Sequence, residues 1–281
     1  MGVKIIECPR DAMQGLPNFI NTDTKVTYLN ALLQVGFDTL DCGSFVNPKI
    51  IPQMADTDLV LKRLNMTETK LSVIVANERG AASAVEFDEV TYLGFPFSVS
   101  ETFQMRNANA TIEDSLKTVG TIIELCEKHN KKFMTYLSMG FGNPYGDPWD
   151  AGIVVHWIKK LQEVGANYFS LSDTVGVSNP ESIQMLISKI TGEFADLNFG
   201  CHFHTRPDEW KEKIETAYNA GCHRFDGALK GFGGCPMAND KLVGNMPTEN
   251  MVEYFAERNV DLGLDMEKLK EAMRIADTVF V

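Results

Sequence analysis

The chain has 281 residues, of which 44% are hydrophobic, 10% aromatic and 23% charged, the balance of an ordinary globular protein with a full core. Its 26 Lys and Arg against 38 Asp and Glu give a formal net charge of −12; so acidic a surface repels phosphate backbones and anionic lipid, which sets nucleic acid and membrane surfaces aside as partners. No apolar stretch approaches the roughly 18–20 residues of a membrane span. The start MGVKIIECPR lacks the basic, apolar and small-residue segments of a signal peptide. Met1-Gly2 opens like a myristoylation site, but Ile6 stands where that motif needs Ser or Thr. A cytoplasmic location without an anchor is the expectation. The six cysteines (Cys8, Cys42, Cys126, Cys201, Cys222, Cys235) form no CxxC pair and no zinc-finger spacing, so neither a disulfide framework nor a structural zinc is expected.

Short apolar or β-branched runs alternate with longer amphipathic stretches along the chain. Strands are predicted at Val3–Glu7, Thr39–Cys42, Leu71–Ala76, Glu89–Phe95, Phe133–Ser138, Tyr168–Ser172, Asn198–His204 and Arg224–Leu229. Each is followed by a helical pattern, clearest at Ser115–Lys128 and at Ala151–Val164, which ends at Gly165 as a helix C-terminus does. Pro180 and Pro207 read as helix N-terminal punctuation, and Thr67-Glu68 and Thr248-Glu249 as helix starts. Residues Asn250 to Val281 read as the eighth helix plus one more, with Met266, Leu269, Met273 and Ala276 on one face, forming a cap across the barrel or simply packing on it. Eight βα units without a linker or repeat predict one α/β domain over residues 1–281: a TIM (β/α)8 barrel with an extra C-terminal helix and a helical cap at about 250–281. The competing doubly wound sheet wants a glycine-rich turn after the first strand, and Glu7 is followed instead by Cys8-Pro9-Arg10-Asp11.

Such a barrel keeps its active site at the C-terminal ends of its strands, and those ends are unusually polar here: Arg10 and Asp11, Asp41, the run Ser170 to Thr174, and His202-Phe203-His204. His202 and His204, two apart on a strand, project from one face. They suit either a metal or a pair of hydrogen-bonded strand histidines. With Asp11 facing them the set becomes two His and one carboxylate, a site for Mg, Mn, Fe or Co more than for zinc. Gly231-Phe232-Gly233-Gly234-Cys235-Pro236 reads as a loop that allows close backbone approach and brings a thiol to the mouth, or as a glycine-rich connection with an incidental Cys. Asn245 is either an amide ligand or a helix cap, with Thr248 competing for the cap. Trp149, Trp157 and Trp210 are expected to pack against the barrel, and His129, His156 and His223 to lie away from the site. Asn107 to Thr111 either touch a ligand or cap the next helix.

Nearly end to end, the motifs resemble the metal-dependent (β/α)8 lyases and synthases typified by hydroxymethylglutaryl-CoA lyase. The likeness is carried by Pro9-Arg10-Asp11 with Gln14, by Ser44-Phe45-Val46-Asn47-Pro48-Lys49 with Pro52-Gln53-Met54, by Ser170 to Val177, by His202-Phe203-His204 and by Gly231 to Pro236. It implies that Asp11, His202, His204 and Asn245 bind a divalent cation, magnesium or manganese, that Arg10 stabilises an enolate, that Cys235 is the acid and that Asp173 is a base or orients one. Gln14 and Ser44 fall in its substrate-side motifs. The chain departs from the pattern at Asp41, where the lyases carry Glu, in Thr205-Arg206-Pro207, at Lys230, and by one extra residue between Cys235 and Asn245. Arg206 and Lys230 are either rim charges or binders of an extra substrate anion.

The resemblance implies retro-Claisen cleavage of 3-hydroxy-3-methylglutaryl-CoA or a close analogue to acetoacetate and acetyl-CoA. The alternatives are an aldolase or Claisen-type synthase on another 2-oxo or 3-hydroxy acid, against which Cys235 and the lack of room for a regulatory domain argue, and a silent barrel, against which the intact site residues argue. The expected partner is a small acyl-CoA or hydroxy-acid; the oligomeric state stays open, a homo-oligomer included.

Overall fold

In the computed structural model, residues 2–234 and 243–280 are described. The order is β1 (Lys4–Glu7), α1 (Pro9–Gln14), α2 (Thr22–Leu33), β2 (Thr39–Ser44), α3 (Thr57–Leu61), β3 (Lys70–Ile74), α4 (Glu78–Ala84), β4 (Val90–Ser98), α5 (Glu101–Ala108), α6 (Ile112–Lys128), β5 (Lys132–Ser138), α7 (Ala151–Glu163), β6 (Tyr168–Asp173), α8 (Pro180–Glu193), β7 (Asn198–Thr205), α9 (Trp210–Asn219), β8 (Arg224–Gly227), β9 (Gly244–Asn245), α10 (Thr248–Glu257) and α11 (Met266–Val279). The first eight strands pair in parallel in chain order, and β8 closes on β1. This is the expected TIM barrel. Outward-facing Ile5, Leu40, Leu71, Leu93, Phe169, Cys201 and Phe225 pack with the helices in the main core, whereas Ile74, Tyr92, Met134 and Tyr136 form a separate cluster on the inward face. Among the described residues no helix is long and apolar enough to cross a membrane.

Local signals explain the helix ends. Asn179 caps α8 in a capping box with Ser182, with Pro180 in the first turn; Thr111 caps α6 through Asp114 N, so the segment before it serves capping. Thr67-Glu68 starts no helix: Thr67 Oγ1 donates to Leu33 O at 3.0 Å, which ties the segment to the end of α2. Thr248 does open α10, but neither its side chain nor that of Asn245 caps it; the cap position is Pro247. The tail also differs from a cap across the barrel. Asp265 N donates to Val35 O at 2.9 Å and α11 packs along α2 on the flank, where its apolar face finds a helix to cover.

The eighth strand stops at Gly227, short of the predicted Leu229. A turn over Leu229–Gly231 follows, held by Glu7, whose Oε1 accepts from Leu229 N at 2.8 Å and whose Oε2 lies 2.5 Å from Thr248 Oγ1. Burial pushes the Glu7 carboxyl up to about 8, against the pull of those two hydrogen bonds. Its folded-state value is raised, so between pH 4.5 and about 8 the unfolded chain releases a proton that the native state keeps, and stability is lost as pH rises through that window. Glu7→Gln keeps both contacts without the proton; its urea stability relative to the parent should rise steadily across this range, and a flat difference would refute the assignment.

Candidate active site

Strand alternation and one irregularity select the side chains that enter the barrel. His202 is the register partner of both Ser172 and Asp226, and these point inward with it. On β2 the register slips between Asp41 and Gly43, so Asp41 and Ser44, three apart, both face inward, as a bulge allows. Asp11 arrives on the first turn of α1, directly after β1. Asn245 arrives on β9, which runs antiparallel to β7 with Asn245 opposite His204.

These elements converge on a set of buried acceptors. His202 Nε2 and His204 Nε2 lie 3.3 Å apart, and stand 4.0 Å and 3.8 Å from Asp11 Oδ2. Asn245 Nδ2 donates to Asp11 Oδ2 and to Phe232 O, each at 2.8 Å, and its Oδ1 is buried with no hydrogen-bond partner among the described residues. His204 Nδ1 meets Thr174 O at 2.8 Å; since a carbonyl only accepts, the proton sits on Nδ1 and the Nε2 lone pair faces the cluster. Burial alone would raise the Asp11 carboxyl, but Arg10 and the two imidazoles outweigh it and hold it well below the usual carboxylate range. One carboxylate and two imidazoles close enough to share an ion fit a divalent cation, and the orphaned amide oxygen of Asn245 belongs to the residue that hydrogen-bonds this carboxylate through its nitrogen.

Arg10 flanks the set and is clamped. Its Nε donates to Asp41 Oδ2 at 3.0 Å, its Nη2 to the same oxygen at 2.5 Å, and its Nη1 to Asp11 Oδ1 at 2.9 Å and Gln14 Oε1 at 3.0 Å. Gln14 Nε2 in turn donates to Asp11 Oδ1 at 2.7 Å. Asp41, although a methylene shorter than Glu, thus reaches Arg10 directly. Burial pushes the Asp41 carboxyl up against the guanidinium's pull, and the bidentate contact is that of an ionised pair.

Residues 3–277 match the sequence profile of the family described as HMGL-like. The chain belongs to the HMGL-like family. It is 31% identical over 267 residues to a hydroxymethylglutaryl-CoA lyase of Bacillus subtilis, covering 95% of this chain and 89% of that protein. The crystal structure of the Bacillus subtilis HMG-CoA lyase superposes with a TM-score of 0.93 at 29% identity, over 99% of this chain and 93% of that one. An HMG-CoA lyase from Acinetobacter baumannii in complex with coenzyme A and 3-methylmalate does so with a TM-score of 0.92 at 28% identity, over 99% and 90%.

Within this HMGL-like barrel several of the candidate residues have partners of their own. Asp173 is the register partner of Phe203, not of His202, so it points outward: it accepts from Val177 N, Ser178 N and Ser178 Oγ, and pairs with Lys213 Nζ at 2.9 Å. Its acceptors are engaged by a turn and a buried lysine, away from the face that His202 presents. Ser44 Oγ accepts from Val46 N at 3.2 Å within its own turn. Lys230 pairs with Asp277 and Arg206 with Glu209, so both cations carry acidic partners on the rim. Cys235 lies outside the described residues, as does most of the stretch holding the extra residue before Asn245. The sequence reading missed Asp226, 3.4 Å from His202 Nδ1; a charged residue at an inward position of β8 was the signal available.

The glycine loop makes the predicted close approach. A Cβ on Gly233, whose φ is +86°, would stand 2.7 Å from Ala12 Cα and Asp11 O and 2.8 Å from Asn245 Nδ2. Gly233→Ala should therefore lower divalent-cation affinity by at least about tenfold while the far-UV circular dichroism stays that of the parent; unchanged affinity would count against the loop's part in the site.

Proposed function

We propose that the protein is a divalent-cation-dependent carbon–carbon lyase that cleaves 3-hydroxy-3-methylglutaryl-CoA, or a close analogue, to acetoacetate and acetyl-CoA. The observation that carries this reading is the clamped Arg10 beside the four-acceptor set. Asp11, His202, His204 and Asn245 would hold the ion, magnesium or manganese, which when bound supplies Lewis acidity toward the substrate's oxygens. In the retro-Claisen step the tertiary hydroxyl loses its proton, the bond between C2 and C3 breaks, and the electron pair passes to the departing thioester enolate, whose carbon then takes up a proton.

Arg10 has five N–H donors. Among the described residues Nε, both hydrogens of Nη1 and one of Nη2 are engaged, which leaves one Nη2 N–H for an oxygen that becomes negative only as the bond breaks. Asp41 and Gln14 keep that donor aimed, so no reorganisation is needed during reaction. The family resemblance assigns the closing proton to Cys235, next to Gly234. The proposal extends to one catalytic unit formed by the barrel and its tail, and to a cytoplasmic setting, favoured by the free thiols of the five described cysteines.

A coupled assay of acetyl-CoA release tests the substrate. Turnover should require manganese or magnesium and vanish with chelator, and Arg10→Met should lower kcat by on the order of 10²–10³. A protein that binds manganese yet releases no acetyl-CoA would overturn the substrate assignment.

The proton competes with the ion at His202. Burial alone would lower its imidazole, but Asp226 and Asp11 outweigh that and hold it above its ordinary value. Manganese affinity, followed by calorimetry, should therefore begin to fall above the ordinary imidazole pKa of about 6.5 as pH is lowered; a decline confined to more acidic pH would contradict this.

A further inference from the structure

The two histidines of the acceptor set are held from behind by different chemistry. His204 Nδ1 rests on a neutral peptide carbonyl, Thr174 O. His202 Nδ1 faces a carboxylate, with Asp226 Oδ2 at 3.4 Å. Asp226 is buried and fixed from two further sides: Ser170 Oγ donates to Oδ2 at 2.7 Å, and Arg224 Nη2 stands 3.6 Å from Oδ1. The Tyr136 ring meets the His202 imidazole edge-on, with centroids 6.0 Å apart. His202 is thus held in orientation by packing, with a carboxylate 3.4 Å from its Nδ1 that makes no hydrogen bond to it.

We infer that Asp226 is a positioning residue for cation binding, seated on Ser170. It keeps the His202 proton on Nδ1, which leaves the Nε2 lone pair for the point shared with Asp11, His204 and Asn245, and its negative charge makes that nitrogen a stronger donor. The inference rests on the cation reading above. A carboxylate behind a ligating imidazole commonly accounts for about 10–100-fold in metal affinity.

The test measures manganese affinity by competition with a fluorescent chelator for the parent, Asp226→Ala, Asp226→Asn and Ser170→Ala. It also reads the His202 tautomer of the metal-free proteins at alkaline pH from long-range ¹H–¹⁵N spectra. The parent should carry the proton on Nδ1. Asp226→Ala should show mixed tautomers and about 10–100-fold weaker manganese binding. Asp226→Asn, whose amide oxygen can still accept, should recover the tautomer but only part of the affinity, and Ser170→Ala should shift both readouts less and in the same direction. Ser170→Ala removes a single oxygen, so it keeps the test open if Asp226→Ala does not fold. Affinity within twofold of the parent in Asp226→Ala, or an undisturbed Nδ1 proton there, would overturn the inference. A parent that binds no manganese would overturn the cation reading itself, and the inference with it.

Discussion

Side chains on a strand alternate between two faces, and closing eight strands into a barrel makes those faces an inside and an outside. That division governs everything else in the molecule. Outward positions such as Phe169, Phe225 and Leu71 bury apolar area against the helices, while the inward face carries His202, Asp226, Asp41 and Ser170 alongside the smaller cluster built around Tyr136 and Met134. A closed sheet has no edge to relax, so the inward charged groups are set among one another within the barrel.

The charges inside are therefore arranged in compensating sets. Arg10 is shared between Asp11 and Asp41, and Arg224 stands beside Asp226. Asp173 shows the same rule on the outer face, where Lys213 meets it. The amide oxygen of Asn245 remains without a donor among the described residues, beside a carboxylate and two imidazoles close enough to share an ion. A buried acceptor left without a donor is costly, and a cation would offset that cost.

The second constraint is close backbone approach at the mouth. Glu7 reaches from β1 to the turn after β8 and to the start of α10, and Gly233 lets that turn press against Asp11 and Asn245. Phe232, in the same loop, stacks on Phe280 just beyond α11 with centroids 4.4 Å apart. The tail thus supports the loop from the flank, and the position of Asn245 depends on contacts from both ends of the chain.

Much of this was legible in the sequence, because it rests on local rules. Alternating periods of two and 3.6 revealed eight βα units, the spacing of His202 and His204 put both on one face, and the glycines of residues 231–234 announced a tight approach. What failed needed information from other strands. Asp173 looked like a site residue because it ends a strand beside polar neighbours, but its parity relative to His202 is a matter of register, and register turned it toward Lys213. Thr67-Glu68 resembled a helix start until the end of α2 claimed it. For Lys230 and Arg206, read either as rim charges or as anion binders, the acidic partners Asp277 and Glu209 become visible only when helix and loop are brought together. The sequence by itself determined the eight βα units and their order, and that His202 and His204 share one face. Which face each residue presents, that Asp226 stands behind His202, and that Asp41 clamps Arg10 were decided by the tertiary structure, because side-chain direction in a barrel depends on the pairing of strands far apart in the chain.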